Sequence, residues 1–257
     1  MLAVGASAGA WADQGLIKQG EERFKINLGG TLTQNDSSLR LDGSNGQGRE
    51  VDLEDAGLSD DSTGLFASAT WRFASKHRIG LQTFSIRRDG SATTAETIGL
   101  GDQSVPAGTS LSADSEARFL IANYQYSFIK NDSLELAGMI GVYAARYKFK
   151  FDASSPVIDV DRNTDVPLPV IGASLDYYLN PRWTVSIFGE AMKIEIGDVD
   201  GRLYYGGIST DYMFTRHFGL GIGYSLSDMQ TDVTKGNFEG QINWRITSLF
   251  GYAQFRF

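Results

Sequence analysis

The sequence predicts an all-β fold: an antiparallel, up-and-down transmembrane β-barrel of about ten strands, with eight or twelve as the neighbouring counts. Three observations carry this expectation. First, 30 Gly, 15 Phe, 11 Tyr and 4 Trp against only five Pro describe a chain of many turns and short alternating runs. Second, four stretches, TWRFASKHRIGLQ, YQYSFIKNDSLELAG, DYYLNPRWTVSIFG and DYMFTRHFGLGIGY, each join two aromatic-rich alternating runs through two to four polar residues, as tight hairpins do. Third, the segments between these hairpins, 34–62, 90–115, 152–166, 197–201 and 229–239, are polar, rich in Asp, Gly and Ser, and mostly long. Short turns on one side therefore oppose long loops on the other, the asymmetry of barrels that cross a bilayer with strands.

The elements follow in chain order. LAVGASAGAWA is small, apolar and uncharged, and Ala10-Trp11-Ala12 before Asp13 reads as a cleavage site, so residues 1–12 are expected to be a signal-peptide remnant. The basic stretch of a full signal is missing, and an apolar first strand is the competing reading. Residues 13–257 then form a single barrel domain. Its first strand is expected near 22–33. The four hairpin stretches join 63–74 to 78–89, 116–129 to 133–150, 167–179 to 183–196, and 202–213 to 218–229; the last strand is 240–257. Both chain ends fall on the short-turn side. Most runs reach the ~9–11 residues that a tilted strand needs to cross a bilayer.

Alternation decides what each face meets. Phe218, Leu220, Ile222, Tyr224 and Leu226 share one face, and Gly219, Gly221, Gly223 and Ser225 share the other, which carries no charge. A soluble barrel would place charge on its second face, whereas a crowded lumen suits small, weakly polar residues. Leu65, Ala67, Ala69, Trp71 and Phe73 against Phe66, Ser68, Thr70 and Arg72 read likewise, as do Leu120, Ala122, Tyr124, Tyr126 and Phe128 against Ile121, Asn123, Gln125 and Ser127. Leu136, Ile140 and Val142 join the predicted lipid-facing band. On this reading Gly223→Ser, a lumen change, should be mild. Rings gather at the short-turn ends, and Trp71, Phe73, Tyr126, Phe128, Tyr177, Trp183, Phe214 and Phe218 are expected to form an aromatic girdle at the headgroup level. Lumen candidates are Arg72, Arg118, Asn123, Gln125, Asp176 and Glu190, with Asp211 beside them; such charges either knit a plug or line a narrow polar path, and about ten strands leave little spare interior.

The final stretch, GYAQFRF, places Phe255 and Phe257 with Ala253, Gly251 and Leu249 on one face. In this the chain resembles the small, porin-like outer-membrane β-barrel proteins of Gram-negative bacteria. The resemblance implies that the Phe255–Phe257 strand is the signal read by the barrel-assembly machinery, that the barrel sits in the cell outer membrane among lipid and lipopolysaccharide, and that both termini are periplasmic. Ile242, Trp244 and Ile246 lie on the opposite parity from Phe257, and a bulge near Ser248 is expected to reconcile them.

Chemistry is sparse. The net charge of −8 argues against nucleic acid as a partner. There is no cysteine for disulfides, thiolate metal sites or a thiol nucleophile. The two histidines, His77 and His217, fall in predicted short turns, where they read as solvated residues, and the barrel proteases and lipases of the resembled class need a histidine toward the outer side. An enzyme is therefore not expected, nor a cofactor. The first loop carries Asp52, Glu54, Asp55, Asp60 and Asp61 without EF-hand spacing, so Ca²⁺ is a weak reading and hydrated carboxylates in a mobile loop are the favoured one. The expected function is a monomeric, non-enzymatic outer-membrane barrel, an anchor or surface-interaction protein with long acidic loops and a mostly plugged lumen, whose ligand the sequence does not name. A narrow channel for small or hydrophobic solutes and a secreted soluble β-barrel binder are the alternatives.

Overall fold

The computed structural model describes residues 15–41, 50–55, 59–93, 98–100, 103–153, 157–197, 199–235 and 238–257. The segment 1–12, read as a signal remnant, lies outside them. Side chains that alternate between two environments demand a sheet with two different faces, and the chain meets this demand by pairing each run antiparallel with the next until the ends join. Among the described residues thirteen strands form: β1 Phe24–Leu41, β2 Glu50–Asp52, β3 Asp61–Ala74, β4 His77–Thr93, β5 Ile98–Leu100, β6 Gln103–Val105, β7 Ser110–Lys130, β8 Leu134–Ala153, β9 Val157–Tyr178, β10 Trp183–Ile196, β11 Val199–Met213, β12 Phe218–Lys235 and β13 Phe238–Arg256. Ten of these, β1, β3, β4 and β7 to β13, run in order round one sheet, and β13 pairs back onto β1 to close the barrel. β2 extends the loop end of β1, and β5 with β6 makes a separate ribbon.

Local chemistry makes the short turns. In three of them a side-chain oxygen accepts two backbone N–H groups ahead of it: Asn131 from Ser133 and Leu134, Asn180 from Arg182 and Trp183, and Thr215 from His217 and Phe218. Asn and Thr hold the chain this way in Asx- and ST-type turns. The chain ends are tied in at the same side: the Phe257 amide donates to the Phe24 carbonyl, and the Phe257 carbonyl accepts from the Arg23 and Phe24 amides.

The strands outrun the expected lengths. β1 reaches Leu41, and β8 with β9 turns most of 152–166 into ladder. Apolar alternation marks a strand in the sequence, and these extensions, QNDSSLRL over 34–41 and VIDVDRNTDV over 157–166, are mostly polar and do not keep it. Nor does β13 bulge near Ser248; its registers with β12 and β1 run unbroken from Gly240 to Phe255. Trp244 and Ile246 point inward, into an apolar cluster in the loop-side half of the barrel.

Outward positions are apolar round the whole wall, with Leu28, Leu65, Leu81, Leu120, Ile140, Ile171, Ile187, Ile208, Ile222 and Leu249 supplying one exposed aliphatic from each barrel strand. Leu65 is 71% exposed and Ile171 65%, which no water-facing wall sustains on ten strands together. On β7 the band runs from Phe128 to Leu120, and eight residues at ~3.3 Å with a tilt near 40° give a height of about 20 Å. Below it the rings link into a collar: Phe24–Trp71, Trp71–Phe73, Tyr126–Phe128, Trp183–Tyr212, Tyr212–Phe214 and Phe214–Phe218 have centroids 5.0–6.3 Å apart.

Arginine at Ile222, on the exposed band, should cost the inserted barrel about 2–4 kcal/mol in denaturant unfolding. Serine at Gly223 will not be mild, contrary to the sequence expectation. A Cβ there would lie 2.3 Å from Cζ of Phe250 and 2.7 Å from the Ile208 carbonyl, so Gly223→Ser should also destabilise, and pairing it with Phe250→Ala should recover part of the loss.

Candidate functional site

The interior is the place where this fold collects unusual chemistry, and it is built in levels. At the short-turn end Glu135 is fully buried. Arg72 grips it with two parallel bonds of 2.9 Å, the Tyr178 hydroxyl donates at 3.0 Å, and Ser127 donates to Oε1. Arg78 stands 3.7 Å from the same carboxylate and reaches Asp176 at 3.4 Å, while Ser186 donates to Asp176 at 2.6 Å. A second chain runs from Asp211, which accepts from Tyr252 and Gln254, through Gln254 to Arg256, and on to Gln19. Gln19 and Glu22 are buried, and Gln19 also donates to the Pro181 carbonyl, so residues before β1 turn back under the barrel mouth. Outside this mouth Lys18 pairs with Asp132 at 2.8 Å, and that hydrogen bond, with a second to Glu21, raises the lysine pKa above its ordinary value.

Above the network lies a cavity of about 230 Å³, lined by Lys25, Asn27, Gln82, Asn123, Gln125, Glu190 and Tyr205 among others. Phe66 packs edge-on against Phe250 and Tyr252 at its wall, with centroids 5.8 and 5.6 Å apart. The Tyr252 ring occupies space that a side chain at Gly221 would need, since a Cβ there would meet Cζ at 2.2 Å. Small residues on one strand thus admit large rings from the next.

Beyond the cavity Ile86, Phe119, Ile121, Tyr143, Val170, Met192, Leu203, Trp244 and Ile246 form a buried apolar cluster drawn from seven strands, and Phe84 stacks on Phe119 at 4.2 Å. At the loop mouth, part of the first loop folds inward. Leu53 is buried, and Glu54 accepts from the Ser37 amide and hydroxyl and pairs with Arg88. Arg88 also donates to the Ser59 carbonyl and to Ser37, both at 2.9 Å.

Arg72, Asn123, Gln125, Asp176, Glu190 and Asp211 all face this interior. Arg118 does not. It stands on the outer wall, where it donates to Glu116 at 2.7 Å, because it shares parity with Leu120 across an unbroken register. Glu135, Arg78, Arg88, Lys25 and Arg256 were missed. The signal was parity again: Arg78 and Arg88 alternate against Ile79 and Leu81, and Arg256 lies between Phe255 and Phe257. Of the loop carboxylates Glu54 is not simply hydrated, since Arg88 and Ser37 hold it, whereas Asp52, Asp55, Asp60 and Asp61 are exposed; among the described residues no three carboxylate or histidine groups converge on a metal position. Both histidines lie at the short-turn end, though not as merely solvated residues. His77 shares a 2.6 Å hydrogen bond with Tyr124 and packs on Phe73 and Tyr126, and His217 donates to the Arg256 carbonyl at 2.7 Å while its ring stacks on Phe257.

Solved structures of other proteins share this architecture. The outer membrane protease OmpT from Escherichia coli matches with a TM-score of 0.53 at 12% identity, over 95% of this chain and 99% of that one. The translocator domain of the autotransporter NalP from Neisseria meningitidis matches at 0.51 and 13% identity, over 91% and 88%. No protein-family model matches the chain, and no curated protein matches it in sequence. The likeness is one of fold: the chain has the closed ten-strand fold of outer-membrane β-barrels.

Removing one partner of a buried, hydrogen-bonded ion cluster leaves the others uncompensated, so Glu135→Ala should cost about 3–5 kcal/mol in unfolding experiments. Lys193→Ala, which breaks a surface pair of 2.7 Å with Glu195, should leave stability unchanged.

Proposed function

We propose that the chain is a non-enzymatic outer-membrane β-barrel that serves as an anchor and surface-interaction protein with a plugged lumen. The observation that carries this reading is the pairing of an uninterrupted, girdled apolar outer band with an interior filled at both ends, by the Arg72–Glu135–Arg78 network below and the Phe119–Trp244 cluster above. The aromatic collar at the short-turn end supports placing that end, and both termini, in the periplasm. The absence of an enzymatic role is supported by the position of both histidines at the short-turn end, away from the loop mouth where a protease of the resembled class would need its base. Lipid and lipopolysaccharide are its surroundings in this reading, the barrel-assembly machinery reads the Phe255–Phe257 strand, and the chain acts as a monomer.

The cavity of about 230 Å³ favours the second reading, a narrow channel, since it places polar side chains in mid-barrel. Planar bilayers separate the two. The protein reconstituted from detergent should give no steady ionic conductance, and reproducible conducting steps would favour the channel. A chain that stays dispersed and monomeric without detergent would overturn both. In intact cells, externally added protease should cut loop-side segments and spare the turns at His77 and Pro181; cleavage at those turns would invert the topology. Phe257→Ala should lower the amount of barrel in the outer membrane more than it lowers refolding yield in detergent.

A further inference from the structure

Five charged side chains line the mid-barrel cavity: Lys25, Arg78, Asp176, Glu190 and Asp211. All but Glu190 stand within three residues of the short-turn ends of β1, β4, β9 and β11, where they form the cavity floor. Cations and carboxylates balance there. Arg78 pairs with Asp176 at 3.4 Å, Ser186 donates to Asp176 at 2.6 Å, Tyr252 and Gln254 donate to Asp211, and Lys25 adds its charge without direct contact. Glu190 is different. It stands at mid-length of the 14-residue β10, and among the described residues it makes neither a hydrogen bond nor an ion pair. The lining therefore holds one carboxylate more than it balances, and that carboxylate is in mid-barrel.

A charge inside a membrane barrel is costly unless something pairs with it. The surroundings of Glu190 specify the partner. Directly beside it stand Gly172 on β9 and Tyr205 on β11. Gly172 makes room for the stem of the carboxylate, since a Cβ there would lie 3.0 Å from Glu190 Cγ. On the other side Tyr205 meets Phe188, two residues before Glu190 on the same face, with ring centroids 5.2 Å apart and planes inclined at 54°. Both rings line the cavity. Two inclined rings beside an unpaired carboxylate suit a cation that carries apolar substituents, because the ring faces attract the charge and cover the carbon around it. A hydrated metal ion would instead want several oxygen ligands. The cavity volume of about 230 Å³ exceeds the ~150 Å³ that admits benzene, so a cation of a few carbon atoms fits.

We propose that Glu190, Tyr205 and Phe188 form a site for a small alkylated ammonium ion inside the lumen. This rests on the membrane-barrel reading and goes beyond it by giving the closed lumen a ligand. The Phe119–Trp244 cluster above and the Arg72–Glu135–Arg78 network below leave the ion no open route, so the site retains what it binds and conducts nothing.

The test uses choline as probe, with its uncharged isostere, in which carbon replaces the nitrogen, beside it. The full chain is refolded in a maltoside detergent with one or the other present, so that neither has to pass the seals. After gel filtration the retained probe is counted by mass spectrometry per folded barrel, folded chain being the heat-modifiable band on a gel. Wild type should retain choline at least about tenfold more than the isostere. E190Q should lose that preference, whereas E195Q, the same change at an exposed carboxylate of the same strand, should keep it. Tyr205→Phe should retain choline and Tyr205→Leu should release it. Choline should raise the unfolding temperature of wild type and leave that of E190Q unchanged. Equal retention by wild type and E190Q would overturn the site and leave Glu190 as a carboxyl that carries its own proton. Equal retention of the two probes would overturn it as well. If E190Q does not fold, the Tyr205 pair decides, and equal retention by its two members overturns the site. Failure of the wild-type chain to enter detergent micelles at all would instead overturn the membrane reading.

Discussion

In hydrocarbon no water is available to an unpaired amide, so a strand wall can cross only if it has no edge. The pairing of β1 with β13, from Lys25 with Arg256 to Leu41 with Gly240, removes the two edges that ten strands in a row would otherwise leave. The rest of the molecule depends on it. Closure forces each side chain to face either the surroundings or the lumen, which is why parity along a strand decides the fate of Ile222 and Gly223, or of Arg118 and Phe119, so completely.

Closure also creates an interior that has to be filled. The chain fills it with complementary sizes: rings of Phe66, Phe250 and Tyr252 cross to strands where Gly29, Gly221 and Gly223 leave room. Where charges enter, they come as a connected set. Glu135 accepts from Arg72, Tyr178 and Ser127 together, so its own oxygens are not left bare by burial. The Arg88–Glu54–Ser37 contact performs the same service at the other mouth and holds Leu53 inward with it.

Most of the architecture was legible because it depends on alternation and turn chemistry, both local properties. The hairpins at Asn131, Asn180 and Thr215 and the collar from Trp71 to Phe218 could be read directly. Strand lengths could not, because beyond the apolar band the outward positions turn polar, as at Arg118, Glu116 and Arg245, and the apolar outer stripe that marks a strand is lost. Nor could the interior network, whose partners are far apart in the chain: Arg72 meets Glu135, and Gln19 meets Arg256. Trp244 and Ile246 show the opposite error. Their apolarity suggested lipid and hence a bulge, whereas they belong to the cluster that fills the loop-side lumen. Apolar character alone does not say which of two apolar environments a residue faces.

The side-chain-capped turns have a kinetic consequence. Asn131, Asn180 and Thr215 each close a loop of a few residues, whereas the β1–β13 seam joins positions more than two hundred residues apart, such as Ile26 and Phe255. Short loops close in well under a microsecond and hairpins in microseconds, while distant pairings wait on the slower search that long loops impose. The adjacent hairpins therefore assemble early into a curling ribbon, and the seam zips last. Until it does, the free sides of β1 and β13 are the two places where this chain can be joined by a strand from another molecule.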